Sequence, residues 1–224
     1  MKKLVIWDVD GTLLDTSEGL LSSVRYMIRE LGLNSLTDEE LRSFVGPRIQ
    51  DSLQRIYGLE GEKLKTAAAV FREHYKQGDV LVANPYDGIE ELLINLKNRG
   101  IYQAIATNKR QDFVDALVDK CGYGEYFTHV HGTDLAGKYL KKDLIRFCIS
   151  DYDGLEDKDA VMIGDSDYDA IAATEAGIDF IGVTYGFDFK KPEDVVGYHP
   201  VGVANSVMEL SKILTEEERK TWGN

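Results

Sequence analysis

The sequence predicts an α/β protein, a doubly wound parallel sheet with a small all-α domain inserted after the first strand. Three observations carry that prediction. Leu4-Val5-Ile6-Trp7 is an apolar run of four bounded by Lys3 and Asp8, the pattern of a short strand buried on both faces of a parallel sheet. From about residue 17 to 80 the chain reads as helix after helix, with no strand signal. From about residue 87 short apolar runs alternate with amphipathic helices, which means right-handed crossovers and a parallel sheet. At 224 residues the chain is long enough for one full α/β core and a smaller second unit. Residues 1–15 and 82–224 are expected to form the core and 16–81 the insert, a candidate cap domain.

Each element has its own signals. Thr16 or Asp15 can cap a helix running to about Leu31 with Gly32 as its stop; Leu20, Val24, Met27, Ile28 and Leu31 give it one apolar face. Thr37-Asp38-Glu39-Glu40 is a capping box opening a short helix through Phe44. Gly46-Pro47 breaks it, a third helix starts near Ile49, and a fourth runs from about Glu62 to Lys76. Asp87 is expected to cap a helix through Lys97, ended by Gly100. Ile101 to Ala106 is a strand that delivers Thr107-Asn108 at its carboxyl end, followed by a helix from Gln111 to Lys120 stopped by Gly122. Thr128 to Gly132 is a weaker strand, in which His129 and His131 alternate and so face one side as packing or edge residues. A helix over Lys142–Ile149, a strand over Ala160–Ile163, a helix over Tyr168–Glu175 and a strand over Phe180–Val183 come next. A last strand near Val201 precedes a helix from Ser206 to Leu214, and the polar stretch from Thr215 to Asn224 is expected to fray.

Composition narrows the function classes. A formal charge of −13 argues against nucleic acid and against an anionic membrane surface as partners. It does not argue against a phosphorylated substrate, because a bound divalent cation reverses the local field. No stretch reaches the length of a membrane span, and Met1-Lys2-Lys3 leads into too short an apolar run for a signal peptide. Cys121 and Cys148 lack metal-ligand spacing and read as helix-packing residues, so a cytoplasmic location is expected.

The chemistry sits at strand ends. Asp8 and Asp10 follow the first strand, separated by Val9, and Gly11 lets the backbone turn away at once. Carboxyl ends of strands are where open α/β sheets put their ligands. Two acids closing on a buried strand end repel each other unless a cation sits between them; the plainer alternative is a pair of solvated loop acids capping the next helix. Thr107 and Asn108 offer a hydroxyl and an amide suited to phosphoryl oxygens, or equally to capping the helix that follows. Gly164-Asp165-Ser166-Asp167-Tyr168-Asp169 ends a later strand, with Asp165 and Asp169 spaced to share one side of a starting helix. Lys138, Lys141 and Lys142 cluster before a helix, and each reads equally as part of a solvated basic loop.

Asp8-Val9-Asp10-Gly11-Thr12, the strand-end Thr107, a lysine in that cluster and Gly164-Asp165 with Asp169 together resemble the motifs of the haloacid dehalogenase-like hydrolases. The resemblance covers nearly the whole chain, and it implies a Rossmann-like core, Mg²⁺ as cofactor and phosphatase chemistry. By it, Asp8 is the nucleophile forming an aspartyl-phosphate, and Asp10 the acid for the leaving alcohol and then the base for water. Thr107 binds the transferring phosphoryl group. The Mg²⁺ ligands are a carboxylate oxygen of Asp8, the backbone carbonyl of Asp10, and Asp165, with Asp169 in support. The family's usual Lys-Pro is missing; Lys141 is chosen as the phosphate-binding lysine because Lys141-Lys142-Asp143 leads straight into an apolar-periodic helix, with Lys142 next. The helical insert resembles that of phosphoglycolate phosphatases, and Gly46-Pro47-Arg48 is similar to their Gly-Pro-Pro substrate loop, which makes Arg48 a candidate substrate contact. The expected partner is a small phosphorylated metabolite, on a monomer or homodimer. A β-phosphoglucomutase-type phosphotransferase, or a catalytically silent metal-binding interaction protein on the same fold, are the alternatives; no His-Arg pair opens the insert as the former would have.

Overall fold

The computed structural model describes residues 2–134 and 138–216. The end of the polar tail expected to fray, from residue 217 on, lies outside the described residues. The chain divides into two compact units, Met1–Leu14 with Pro85–Asn224, and Asp15–Asn84.

The larger unit is built on six strands, all parallel. Along the chain they are β1 (Leu4–Trp7), then, after the two-residue strands β2 (Leu14–Asp15) and β3 (Asn84–Pro85), β4 (Tyr102–Arg110), β5 (His129–Thr133), β6 (Ala160–Gly164), β7 (Asp179–Val183) and β8 (Gly202–Ala204). In space the order is β5-β4-β1-β6-β7-β8. β1 is therefore central, with Leu4 opposite Tyr102 on one side and Ala160 on the other. Its four residues are all buried, as an uninterrupted apolar run requires between two helical layers. Leu4 and Ile6 face a cluster with Met162, with Leu144, Ile145 and Cys148 of the helix Lys141–Ser150, and with Ala170, Ala173 and Ala176 of the helix Asp167–Ala176. Val5 points the other way, sharing a small cavity with Val161, Ile181 and, from the helix Val207–Glu216, Ile213 and Leu214.

The smaller unit holds α1 (Ser17–Glu30), α2 (Asp38–Arg42), α3 (Ile49–Tyr57) and α4 (Gly61–Lys76), followed by a 3₁₀ turn at Asp79–Leu81. Asp15, not Thr16, serves the start of α1: its Oδ1 accepts from the Ser17 amide at 3.0 Å and hydroxyl at 2.6 Å. The capping box at Thr37 forms, with Thr37 Oγ1 accepting from the Glu40 amide at 3.2 Å and Glu40 returning the bond to the Thr37 amide at 2.8 Å. The buried residues of this unit include Val24, Met27, Phe44, Leu53, Ala67, Ala68, Phe71 and Tyr75.

The larger unit adds α5 (Ile89–Asn98), α6 (Gln111–Cys121), α7 (Lys141–Ser150), α8 (Asp167–Ala176), α9 (Pro192–Val196) and α10 (Val207–Glu216). Asp87 does not cap α5. Gly88 holds the N-cap position at φ +87°, and the Ile89 amide donates to the Tyr86 carbonyl instead. The second core strand does not stop at Ala106; it runs on to Arg110, with a register shift against β5 between Ala106 and Arg110. No helix among the described residues is long and apolar enough to cross a membrane.

Candidate active site

Asp8 is the first residue past β1, and its amide donates to the Ile163 carbonyl at 3.0 Å, which fixes it against β6. The chain then turns on the Val9 carbonyl, which accepts from the amides of Thr12, Leu13 and Leu14. Gly11, at φ +81°, is required twice over: the backbone is left-handed, and a Cβ would collide with the Asp165 carboxylate. Asp165 follows β6 on the neighbouring strand. Its Oδ2 accepts from the Phe187 amide at 2.5 Å, and its carbonyl from the Phe189 amide at 2.8 Å, both from the segment beyond β7. Gly186 gives that segment its close approach, since a side chain there would meet the Gly11 carbonyl and the Asp165 carboxylate.

Asp169 is the third residue of α8. Its Oδ2 accepts from the amide and hydroxyl of Ser166, a capping box in which the acid also complements the helix dipole. It is fully buried, and Asp8 and Asp165 nearly so. Each of the three acids offers an oxygen within 4.8 Å of the others. Lys141, the first residue of α7, reaches into this group, with Nζ 2.6 Å from Asp8 Oδ1 and in contact with Asp169 Oδ1. A cation at a helix N-terminus is disfavoured by the dipole; here two carboxylates outweigh that. Lys142 instead pairs with Glu175 at 3.2 Å, and Lys138 donates to the Tyr139 hydroxyl, so of the three candidate lysines Lys141 stands among the acids.

The electrostatics are unbalanced. Burial pushes the Asp8 carboxyl up to about 7, with Asp169 and Asp10 adding to the rise and Lys141 opposing it. Burial, then the charges of Asp169 and Asp8, hold Asp165 well above the usual carboxylate range. Burial opposes the charge of Lys141, but Asp169 and Asp8 prevail and raise its amine above the ordinary value. Three acids facing one lysine leave room for a cation, and an all-carboxylate donor set is that of a hard ion such as Mg²⁺.

Thr107 is 1% exposed, and its Oγ1 accepts from the Lys109 amide at 3.2 Å. Neither Thr107 nor Asn108 caps α6, whose N-cap is Arg110. Asn108 is half-buried, and its carbonyl accepts from the Thr133 hydroxyl. Asp10, a quarter exposed, pairs with Lys109 at 2.8 Å. Lys109 belongs to none of the sequence motifs, and its one signal in the sequence is its place directly after Thr107-Asn108 at a strand end. Arg48 lies in the helical unit at the start of α3, exposed and paired with Asp51 at 2.9 Å.

A haloacid dehalogenase-like hydrolase family model matches residues 5–183, a span holding Asp8, Asp10, Thr107, Lys141, Asp165 and Asp169. The chain belongs to that family. This hydrolase is 29% identical to a 5'-nucleotidase of Pseudomonas aeruginosa over 94% of each chain. It is 30% identical to phosphoglycolate phosphatase 1 of the same organism, over 86% of this chain and 73% of that one. A crystal structure of a predicted phosphatase from Clostridium acetobutylicum superposes with a TM-score of 0.87 at 33% identity, covering 96% of this chain and 99% of that one.

Proposed function

We propose that this hydrolase is a Mg²⁺-dependent phosphatase that cleaves a small phosphate monoester through an aspartyl-phosphate on Asp8. The observation carrying this reading is the grouping of Asp8, Asp165 and Asp169 within 4.8 Å around Lys141. Asp8, the Asp10 carbonyl and Asp165 would hold Mg²⁺, with Asp169 in support; when bound, the ion neutralises charge on the phosphoryl oxygens and on the acids. The Asp8 carboxylate attacks phosphorus in line, the P–O bond to the alcohol breaks, and Asp10 delivers a proton to the leaving oxygen. Asp10 then takes a proton from the water that attacks the acyl phosphate, returning Asp8 and inorganic phosphate. Thr107 and Lys141 hold equatorial oxygens through the transfer, with Asn108 beside them. Holding Lys141 charged against Asp8 and Asp169 keeps an ammonium available for those oxygens.

The relatives named 5'-nucleotidase and phosphoglycolate phosphatase support nucleoside monophosphates and phosphoglycolate-like acids as candidate substrates, and sugar phosphates are the third class we propose to test. The test is phosphate release from a panel of these esters with Mg²⁺ and with a chelator. Release that requires Mg²⁺ supports the reading. No release from any ester, or equal release under chelation, overturns it.

A further inference from the structure

We infer that Lys109 is a positioning residue for catalysis, holding the Asp10 carboxylate where it can pass its proton to the leaving oxygen; this rests on the phosphatase reading above. The site contains two buried lysines with separate partners. Lys141 stands on Asp8 and Asp169. Lys109, its side chain only 6% exposed, places Nζ 2.8 Å from Asp10 Oδ1. A charge-assisted bond of this length fixes direction as well as energy, and the acid it fixes lies on a turn rather than in an element.

The backbone of Lys109 is itself held with unusual care. β4 continues past Thr107 through Lys109 to Arg110, shifting register against β5 on the way. The Lys109 amide donates to Thr107 Oγ1 at 3.2 Å, and the neighbouring Asn108 carbonyl accepts from the Thr133 hydroxyl at 3.1 Å. Gly132 of β5 lies so close that a Cβ there would stand 2.6 Å from the Lys109 carbonyl. A lysine serving only as a surface charge needs none of these restraints. Thr107, which the proposed reaction uses to hold the phosphoryl group, also fixes the residue that aims Asp10.

A proton donor matters in proportion to how poor the leaving group is. An alkoxide needs the proton, whereas p-nitrophenolate departs without one. The rate constant kcat/KM covers the steps up to alcohol release, so the leaving group reports on aim alone. The experiment measures kcat and KM for Lys109→Met and Lys109→Arg with Mg²⁺, on p-nitrophenyl phosphate and on the alkyl phosphate the wild type turns over fastest. A general acid contributes about 10²–10⁴-fold. Lys109→Met is expected to lower kcat/KM on the alkyl ester by about 10²-fold, and by at least about tenfold less on the aryl ester. Lys109→Arg, which keeps the charge with a different head, is expected to recover part of the alkyl rate. An equal loss on both esters, or a loss confined to KM, would show a lysine that holds phosphate or the fold, and would overturn the inference. So would unchanged kinetics. If Lys109→Met does not fold, the alkyl-to-aryl ratio of Lys109→Arg carries the same decision. Wild-type protein that cleaves neither ester refutes the phosphatase reading itself, a failure distinguishable from any change confined to the variants.

Discussion

Two polar clusters, one in each unit, are built on opposite principles. In the helical unit Ser23 of α1, His74 of α4 and Asp79 converge: the Ser23 hydroxyl donates to Asp79 Oδ2 at 2.7 Å, and His74 Nδ1 lies 3.2 Å from the same oxygen, its ring stacked on Tyr26. One acid meets two possible donors, and no like charges face each other. In the larger unit Asp8, Asp165 and Asp169 crowd together with Lys141 as their shared cation. The first cluster is satisfied by its own residues and costs little to keep. The second repels itself, and burial without balance is expected where charge is to be supplied by something bound. The contrast separates a cluster that holds helices together from one that does chemistry.

The sharpest way to test that contrast is to remove the nucleophile. Asp8→Asn keeps the side chain's shape and an oxygen to face Lys141, so the fold should persist while turnover falls by roughly 10⁴–10⁶-fold, the scale on which an activated nucleophile acts. Acid-quenched protein from a reaction with ³²P-labelled ester should carry label in the wild type and none in the variant. Label retained by Asp8→Asn would move the nucleophile elsewhere.

Next in size is the metal. Asp165→Asn should remove most of the Mg²⁺ response while raising the melting temperature in chelator, because one of three mutually repelling acids is gone. A gain of ~1 kcal/mol corresponds to about 2–4 °C at this chain length. The amide still offers an oxygen to the Phe187 N–H, so that buried backbone donor keeps its acceptor. A lower melting temperature in chelator would mean that the acids stabilise the apo fold, and the contrast between the clusters would fail.

The pH dependence gives a smaller, signed effect. Asp8 titrates near 7 in the folded chain against an ordinary 3.8, so between those values the native state binds more protons than the unfolded one. Its contribution to stability is full below about 4 and lost as pH rises through 7. Asp165 is shifted in the same direction. Protons and Mg²⁺ compete for these oxygens, so added Mg²⁺ should raise the melting temperature by several degrees at pH 8 and by little at pH 5. An equal rise at both values would separate the ion from these acids.

Much of this was legible in the sequence because the determining patterns are local. The Leu4–Trp7 run with Asp8 behind it announces a central strand and its functional end, and Gly122 stops α6 in a left-handed conformation as expected. The capping box at Thr37 needs only four residues to be recognised. What escaped depends on main-chain geometry or on pairing across the chain. Asp87 looked like a cap, but the left-handed turn at Gly88 routes the first helical amide to a carbonyl. The grip of the Phe187 and Phe189 amides on Asp165 is made by backbone donors, which no side-chain identity encodes. The extension of β4 to Arg110 is set by its register with β5, and that extension carries Lys109 to Asp10.

The smallest expected effect comes from the satisfied cluster, and it is the control for the others. Ser23 is fully buried, and Ser23→Ala deletes a single donor without opening appreciable space. What remains is an Asp79 side chain 19% exposed and therefore able to take a water in place of the hydroxyl, with His74 still beside it. The loss is then that of one hydrogen bond, about 0.5–1.5 kcal/mol, rather than the larger penalty of a stranded buried acid. Hydrogen exchange followed by peptide mass should show it as faster exchange in α1 and α4 only, because the three residues lie within the helical unit. The Mg²⁺-dependent rise in melting of the larger unit should be the same in Ser23→Ala and wild type, since none of the acids beyond β1 and β6 is touched. Destabilisation well above 3 kcal/mol would show that the helical cluster stores an imbalance of its own. The distinction between a cluster that holds and a cluster that acts would then have to rest on the metal response alone.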